Sequence, residues 1–365
     1  MPKPIKLAIA GVGRGKAFFE PFLAHSETEL VALCDVDESR LAGAGKTAGV
    51  TALYTLYEKM LDEARPDAVV IASPMQFHAA QALAALERQI HVLCEVTAAV
   101  SLDEARWLAQ GCRRSKAVYM MGENLLYYKT VMLVQNMVDA GLFGEVYYAE
   151  GEYLHNVRHL HHTADGRPTW RYYWQVGING ANYATHSIGP CLFWMHDRPD
   201  RVSCIGSGRW SDPEHAMEDS VLMLCKTKSG KLIRIRLDML SPRPYALTYT
   251  LQGTKGVYES ARQPGGQHSV CIEGYGEREK WLPLETFEVE FLPEIWRNPP
   301  QEALESGHLG SDYFTAVDFI DAVQGRKPPK IGIHEALDMT LPGLVSQASI
   351  ARDGEWLPVP DSREW

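Results

Sequence analysis

The chain has 365 residues, of which 45% are hydrophobic and 22% charged, with a formal net charge of −10 and a pI near 5.7. That length exceeds one ordinary core and suits two domains, while the acidity disfavours nucleic acid or an anionic membrane surface as partner and leaves a neutral or cationic small molecule. The seven cysteines are odd in number and scattered through apolar runs, which reads as reduced core thiols in a cytoplasmic protein rather than a disulfide framework or a zinc site.

No apolar core flanked by basic residues opens the chain and no run approaches about 18 apolar residues, so neither a signal peptide nor a transmembrane helix is expected. An apolar strand, Ile5 to Ala10, runs straight into Gly11-Val-Gly13-Arg14-Gly15 and then a helix. This is the opening of a dinucleotide-binding fold: Gly11 permits the tight turn, Gly13 lets a pyrophosphate approach the backbone, and a helix beginning near Gly15 offers N–H groups to phosphates. The third glycine stands one place early, with Lys16 where the strict pattern wants Gly or Ala. A second strand, Leu30 to Cys34, ends at Asp35, placed to accept hydrogen bonds from a ribose 2′-hydroxyl and to repel a 2′-phosphate, which favours NAD over NADP.

Further strands are expected at Ala68 to Ala72, His91 to Cys94 and Val118 to Met121, alternating with helices, the pattern of a doubly wound parallel sheet. Ser101-x-x-Glu104 is a capping box for the helix reaching Ser115, and Thr130 to Ala140, stopped by Gly141, is the connecting helix. From Glu145 the apolar pattern changes to period two, as in Ile233 to Leu237 and Tyr245 to Leu251, which implies a large open, mainly antiparallel sheet. If the second face of such a sheet is apolar or aromatic it is buried against another subunit, so a homo-oligomer is expected. Helices return at Ser311 to Val323 and from about His334. The expected architecture is an α/β Rossmann domain over residues 1–125 and an α+β substrate-binding and oligomerisation domain over 126–365, whose C-terminal helices can pack back on the first.

Ser73, Pro74 and His78 close the fourth strand and Glu95 the fifth, at the carboxyl edge where ligands of a doubly wound fold bind. Their plainer reading is that Pro74 ends a strand and His78 caps the next helix. Together Gly11 to Gly15, Asp35, Ser73-Pro-Met-Gln-Phe-His78 and Glu95 resemble the Gfo/Idh/MocA-type oxidoreductases. That resemblance implies an NAD(P)-binding Rossmann domain and an open-sheet domain carrying a sugar or cyclitol. Where those dehydrogenases follow the glutamate with lysine and proline, this chain has Val96 and Thr97, so the proton-transfer group must come from elsewhere.

Gly122-Glu123-Asn124-Leu-Leu-Tyr127, Gly144-Glu145, Gly151-Glu-Tyr153-Leu-His155-Asn-Val-Arg158, Trp170-Arg171 and Asn182-Tyr183-Ala-Thr-His186 resemble, in order and spacing, the NAD-dependent glycosidase branch of that family, of the α-N-acetylgalactosaminidase type. The branch also has a His-x-Gly-x-Asp segment like His308 to Asp312. This chain departs from it at Ala184, usually proline, at Ser187, usually glycine, and at Glu152, usually glycine, changes expected beside the pocket. The resemblance implies that Tyr183 and His186 are catalytic, that Glu123, Tyr153, His155, Arg171 and Trp174 bind substrate, and that Asn124 joins Gly11, Gly13, Arg14, Gly15, Asp35, Ser73, Pro74, His78 and Glu95 around NAD.

On physical grounds, Tyr183 and His186 lie three apart, so one helical turn brings a phenol and an imidazole to one patch. Histidine can accept a hydroxyl proton near neutral pH, and a nearby Arg171 could ease loss of the tyrosine proton. Without the resemblance, both read more simply as core residues. His155, His159, His161 and His162 fit no closed tetrahedral motif, and no metal is expected. Glu150, Glu152, Glu218 and Asp219 could imitate a paired-carboxylate glycosidase but read as strand or turn residues. The run Trp170, Tyr172, Tyr173, Trp174 is either a sugar-stacking platform or a core strand. Three functions stand: a glycosidase working through transient oxidation of a sugar C3 hydroxyl, a net sugar or cyclitol dehydrogenase, and a non-catalytic NAD-binding regulator.

Overall fold

The computed structural model describes residues 3–365. Fifteen strands lie among them: β1 Ile5–Ala10, β2 Thr28–Cys34, β3 Leu53–Tyr54, β4 Ala68–Ile71, β5 His91–Cys94, β6 Tyr119–Met121, β7 Val146–Leu154, β8 Pro199–Gly206, β9 Val221–Thr227, β10 Leu232–Asp238, β11 Ala246–Gly253, β12 Gly256–Glu259, β13 Ser269–Ile272, β14 Leu282–Pro283 and β15 Leu357–Pro358. They form two sheets, and the chain divides into two compact units.

The first unit holds residues up to Tyr128 together with Pro299–Leu337 and Ser362–Trp365. Its six strands run parallel in the order β3-β2-β1-β4-β5-β6, the doubly wound order of a dinucleotide-binding fold. Strands β1, β4 and β5 are almost wholly buried, which is why they read as unbroken apolar runs. Ser101 caps the helix Leu102–Arg114 by accepting from the Glu104 N–H, while the Glu104 carboxylate reaches the Val100 N–H, one residue before the usual partner. The segment after Pro299 is tied in by Tyr127 Oη donating to Asp318 (2.7 Å) and by the Met121 N–H donating to Ile331 O (2.9 Å). A boundary near residue 125 describes where this unit is first left, and not the residues 299–337 that return to it.

The second unit, Lys129–Asn298 with Asp338–Asp361, is built on a nine-stranded sheet ordered β14-β13-β12-β11-β7-β10-β9-β8-β15. Every pairing is antiparallel except β7 with β10, side by side at its centre. The helix Thr185–Met195 lies against β7. Contact is so close there that a Cβ on Gly151 would stand 2.0 Å from Ser187 O. Beneath it Trp194, fully buried, meets Tyr249 and Tyr258 edge-on and donates from Nε1 to Val131 O. On the opposite face the register sets Glu150 beside Arg234 and Glu152 beside Thr248. Arg234 Nη2 binds both carboxylates, at 3.2 Å and 2.8 Å, and Thr248 Oγ1 donates to Glu152 (3.0 Å). The middle of this face is therefore a polar strip, where an apolar or aromatic one was expected, because these charges satisfy one another within the sheet. Strand alternation also puts Glu152 on the face away from Tyr153, so its departure from glycine does not touch the aromatic residues described below.

Gly151→Ala should lower unfolding stability by about 2 kcal/mol or more, the scale of overpacking against backbone that cannot yield. A urea midpoint matching the wild type would show that the helix can lift from β7 at no cost.

Candidate active site

In the first unit the helical path begins at Val12 and not near Gly15, with Gly11 as its left-handed N-cap (φ 85°). A Cβ at Gly11 would lie 2.5 Å from the Ala72 carbonyl and the Ser73 N atom, and one at Gly15 would lie 2.5 Å from Ile9 Cγ2. Two of the glycines thus serve close packing on β1 and β4. At Gly13 only Arg40 Nη1 comes near the same position, at 3.9 Å, so this is where the backbone stays open to a ligand. Asp35, buried at the end of β2, is fixed by N–H donors from Val12 (3.0 Å) and Asp37 (3.0 Å), with Arg40 at 3.7 Å. A carboxylate has about four acceptor positions, so capacity remains for two ribose hydroxyls. The open glycine and the fixed acid fit a dinucleotide.

The carboxyl edge carries the rest. Ser73 Oγ donates to Gln81 (2.6 Å), and Pro74 caps a short helical turn. His78 is 1% exposed, with Nδ1 2.7 Å from Thr97 O and Nε2 2.9 Å from Ser73 O. Burial pushes its pKa down against those carbonyl contacts, and the ring joins the β4 and β5 loops, donating to one of the two carbonyls when it carries a single proton. Both ring nitrogens are thus taken up within the loops of this edge. Arg14 reaches Glu95 (2.7 Å) and binds Asp312 through both Nη atoms (3.0 and 2.8 Å). Asn124 also donates to Asp312 (3.3 Å). Glu123 is fully buried, its Oε1 accepting the Leu125 N–H, so its carboxylate is not on an accessible surface as a sugar-binding role had suggested.

In the second unit four rings gather around Tyr153. Its centroid lies 4.9 Å from His186, 5.5 Å from His155, 5.9 Å from Tyr245 and 6.4 Å from Tyr183. Tyr183 and His186 meet edge-on at 5.5 Å. They do so across the helix start, Tyr183 standing in the turn before the N-cap Ala184 and His186 in the first turn. Tyr153 Oη lies 2.8 Å from His155 Nδ1. Burial, then the charge of Arg171 and the neighbouring His159 and His186, hold the His155 pKa down to about 4. The imidazole is thus neutral at pH 7, and with its proton on Nε2 it accepts the phenolic O–H.

The charge of Arg171 helps to lower the His155 pKa. Arg171 stacks 4.4 Å over Trp170 and donates to Gln175 Oε1 (2.9 Å). Its segment, Arg171–Gln175 with half-buried Trp174, is a single π-helical turn and not a core strand. Asn182 Nδ2 donates to the carbonyls of Trp174 and Gln175, tying this turn to Tyr183.

Sequence reasoning missed Tyr245, whose 43% exposed ring stands 5.1 Å from His155; no local motif announces it. The other histidines scatter: His161 meets His215 at 4.8 Å and His162 meets Tyr172 at 5.2 Å. Among the described residues no group of three or more His, Cys, Asp or Glu is arranged to hold a metal. Glu218 and Asp219 are taken up by loop N–H groups of Gly208, Trp210 and Ser211.

Residues 5–123 match the sequence model described as oxidoreductase family, NAD-binding Rossmann fold, and residues 131–259 match the Gfo/Idh/MocA C-terminal domain. The chain belongs to the Gfo/Idh/MocA oxidoreductase family. Its first unit is the NAD-binding domain of that family. Residues 207–364 also match the C-terminal domain of glycosyl hydrolase 109. A glycosyl hydrolase family 109 protein of Stenotrophomonas maltophilia (strain K279a) is 28% identical over 410 residues, covering 98% of this chain and 89% of that one. An alpha-N-acetylgalactosaminidase of Tannerella forsythia is 28% identical over 409 residues, covering 98% and 86%. Among solved structures, levoglucosan dehydrogenase in complex with NADH superposes with a TM-score of 0.83 at 18% identity, covering 98% of this chain and 100% of that one. At that identity the likeness shows the fold.

The His155 ring should stay neutral down to about pH 5 and titrate near pH 4, as followed by its imidazole resonances. The sign for stability follows: an unfolded histidine binds a proton below about pH 6.5 while the folded one does not. Stability is therefore lost as pH falls from about 6.5 toward 4. A His155 midpoint at 6.5 would contradict this reading.

Proposed function

We propose that this protein is an NAD-dependent glycosidase that cleaves its substrate through transient oxidation of a sugar C3 hydroxyl. The observation that carries this reading is the Tyr153, His155, Tyr183, His186 cluster, which gathers proton-transfer groups in a chain with Val96 where the dehydrogenases of the family place lysine. The glycosyl hydrolase 109 match and the two named relatives support the same reaction.

When bound, NAD supplies a hydride acceptor for the C3 carbon and later returns what it took. The protein has protons to move. His186 or Tyr183 takes the C3 hydroxyl proton as the ketone forms, and the ketone makes the neighbouring C2 proton acidic. A base of the cluster then removes that proton while the C1–O bond breaks, and the aglycone departs as an alcohol by taking up one of the two protons the cluster has gained. Water adds its hydroxyl to C1, a proton returns to C2, and reduction of the ketone restores C3, so hydrolysis is complete with no net redox. Arg171, Trp174 and Tyr245 border the cluster as groups for sugar hydroxyls and faces. On the other unit, Asp35, Gly13 and Arg14 hold the dinucleotide, with Ser73, Pro74, Glu95 and Asn124 around it.

Two further inferences accompany this. The protein is cytoplasmic, supported by seven free cysteines, all buried or half-buried; among the described residues no helix is long and apolar enough to cross a membrane. It is a homo-oligomer, dimer or tetramer, through the open face of the nine-stranded sheet, supported by the half-buried Leu222, Leu224 and Leu232 beside the polar strip.

Hydrolysis of nitrophenyl N-acetyl-α-galactosaminide in heavy water should place deuterium at C2 of the product, with many turnovers on each bound NAD. Tyr183→Phe and His186→Ala should each lower turnover by about a hundredfold with nucleotide content unchanged. Stoichiometric NADH without aglycone release would overturn the hydrolase and leave net sugar oxidation.

A further inference from the structure

The Arg14 contacts reach beyond holding a loop in place. Arg14 belongs to the loop after β1, and Glu95 stands at the end of β5, with β4 between those strands in the sheet. Two strand spacings span about 9.6 Å. A guanidinium joining them must cross the carboxyl end of β4, the edge along which a dinucleotide lies in a doubly wound fold. The side chain is held there from outside the nucleotide loop. Asp312, in the first turn of the helix Ser311–Val323, has a side chain with no exposure and grips both Nη atoms of Arg14.

Asp312 is itself fixed. His308 Nδ1 lies 2.8 Å from its Oδ2, and Asn124 binds its Oδ1. Burial alone would raise the pKa of such a carboxyl; hydrogen bonds from His308 and Arg14, with the charges of both, bring it down to about 2. The preceding loop is strained to make this fit. His308 and Leu309 both take left-handed backbone (φ 51° and 58°), and a Cβ at Gly307 would stand 2.5 Å from Asp312 Oδ2. Strain of this kind persists only where surrounding contacts over-determine it.

We propose that Asp312, seated by His308, is a positioning residue that latches Arg14 across the carboxyl end of β4 and so sets how fast the dinucleotide enters and leaves. The bidentate grip immobilises a long side chain that would otherwise sample many rotamers. A latch on the path slows passage in both directions. A carboxylate that merely repelled phosphate would slow entry and speed departure. The inference rests on dinucleotide binding in this crevice and not on the reaction that follows, so failure of the hydrolase reading leaves it standing.

The test is stopped-flow exchange on the full-length protein, following NADH fluorescence on binding and during a chase with excess NAD. Asp312→Asn and Arg14→Gln should each speed NADH release at least about tenfold and also speed its entry. The double variant should match the single ones, because both changes open one contact. His308→Ala, altering a half-exposed ring, should act in the same direction by a smaller factor, and it carries the test if Asp312→Asn fails to fold. Melting temperature of the nucleotide-free variants separates the latch from loss of structure. Release within twofold of wild type in folded variants, faster entry with slower release, or additive effects in the double variant would each overturn the proposal.

Discussion

The arrangement of the second unit depends on one close approach, that of the Ser187 carbonyl to the backbone of Gly151. A side chain at 151 would push the helix Thr185–Met195 away from the sheet, since a Cβ there would sit 2.0 Å from an oxygen that has no room to retreat. With glycine in place the helix start lies directly on β7. Tyr153, two residues on and on the same face of the strand, then comes under His186 and Tyr183. The five-ring cluster is a consequence of that contact. The aromatic rings in turn exclude enough water that His155, crowded by Arg171, stays neutral.

The first unit obeys a similar rule with another purpose. Gly11 and Gly15 let β1, β4 and the helical path close tightly, and Gly13 is left open. The charged groups at the carboxyl edge are fixed by partners remote in sequence: Arg14 by Asp312, and the loops after β4 and β5 by His78. Cofactor geometry in such a site is set as much by what lies behind the loops as by the glycines in front.

Much of this was readable from local pattern. The parallel unit is legible because its inner strands β1, β4 and β5 are buried almost throughout and because Ser101 marks a helix start. Asp35 was legible because its distance from the glycines is a property of the fold. The failures share a cause. Whether His78 and Glu123 face a ligand or the interior depends on packing contributed by other segments, and no spacing encodes it. The charge of Arg171 acts on His155, a pairing that no spacing announces. Tyr245 gave no local signal, and the segment His308 to Asp312, though noticed as a motif, gave no sign of the partner of Asp312, which lies 298 residues away. The π-helical turn at Arg171–Gln175 imitates a strand in composition alone.

The charged strip on the far side of the nine-stranded sheet acts as a mark of identity. Arg234 holds two carboxylates there, from Glu150 and Glu152, and Glu152 stands where glycine is usual in the glycosidase branch that this chain resembles. Any protein covering this face must leave that pattern satisfied or strip water from charges it does not match, at a cost of several kcal/mol per unpaired ion. Among these three groups two carboxylates share one guanidinium, so a cover that offers a donor or a cation to the second acid meets the condition. With glycine at 152 the strand would keep a one-to-one pair of Glu150 with Arg234, so this single substitution, in a strand position facing away from the aromatic cluster, changes the charge that any cover of the face must match.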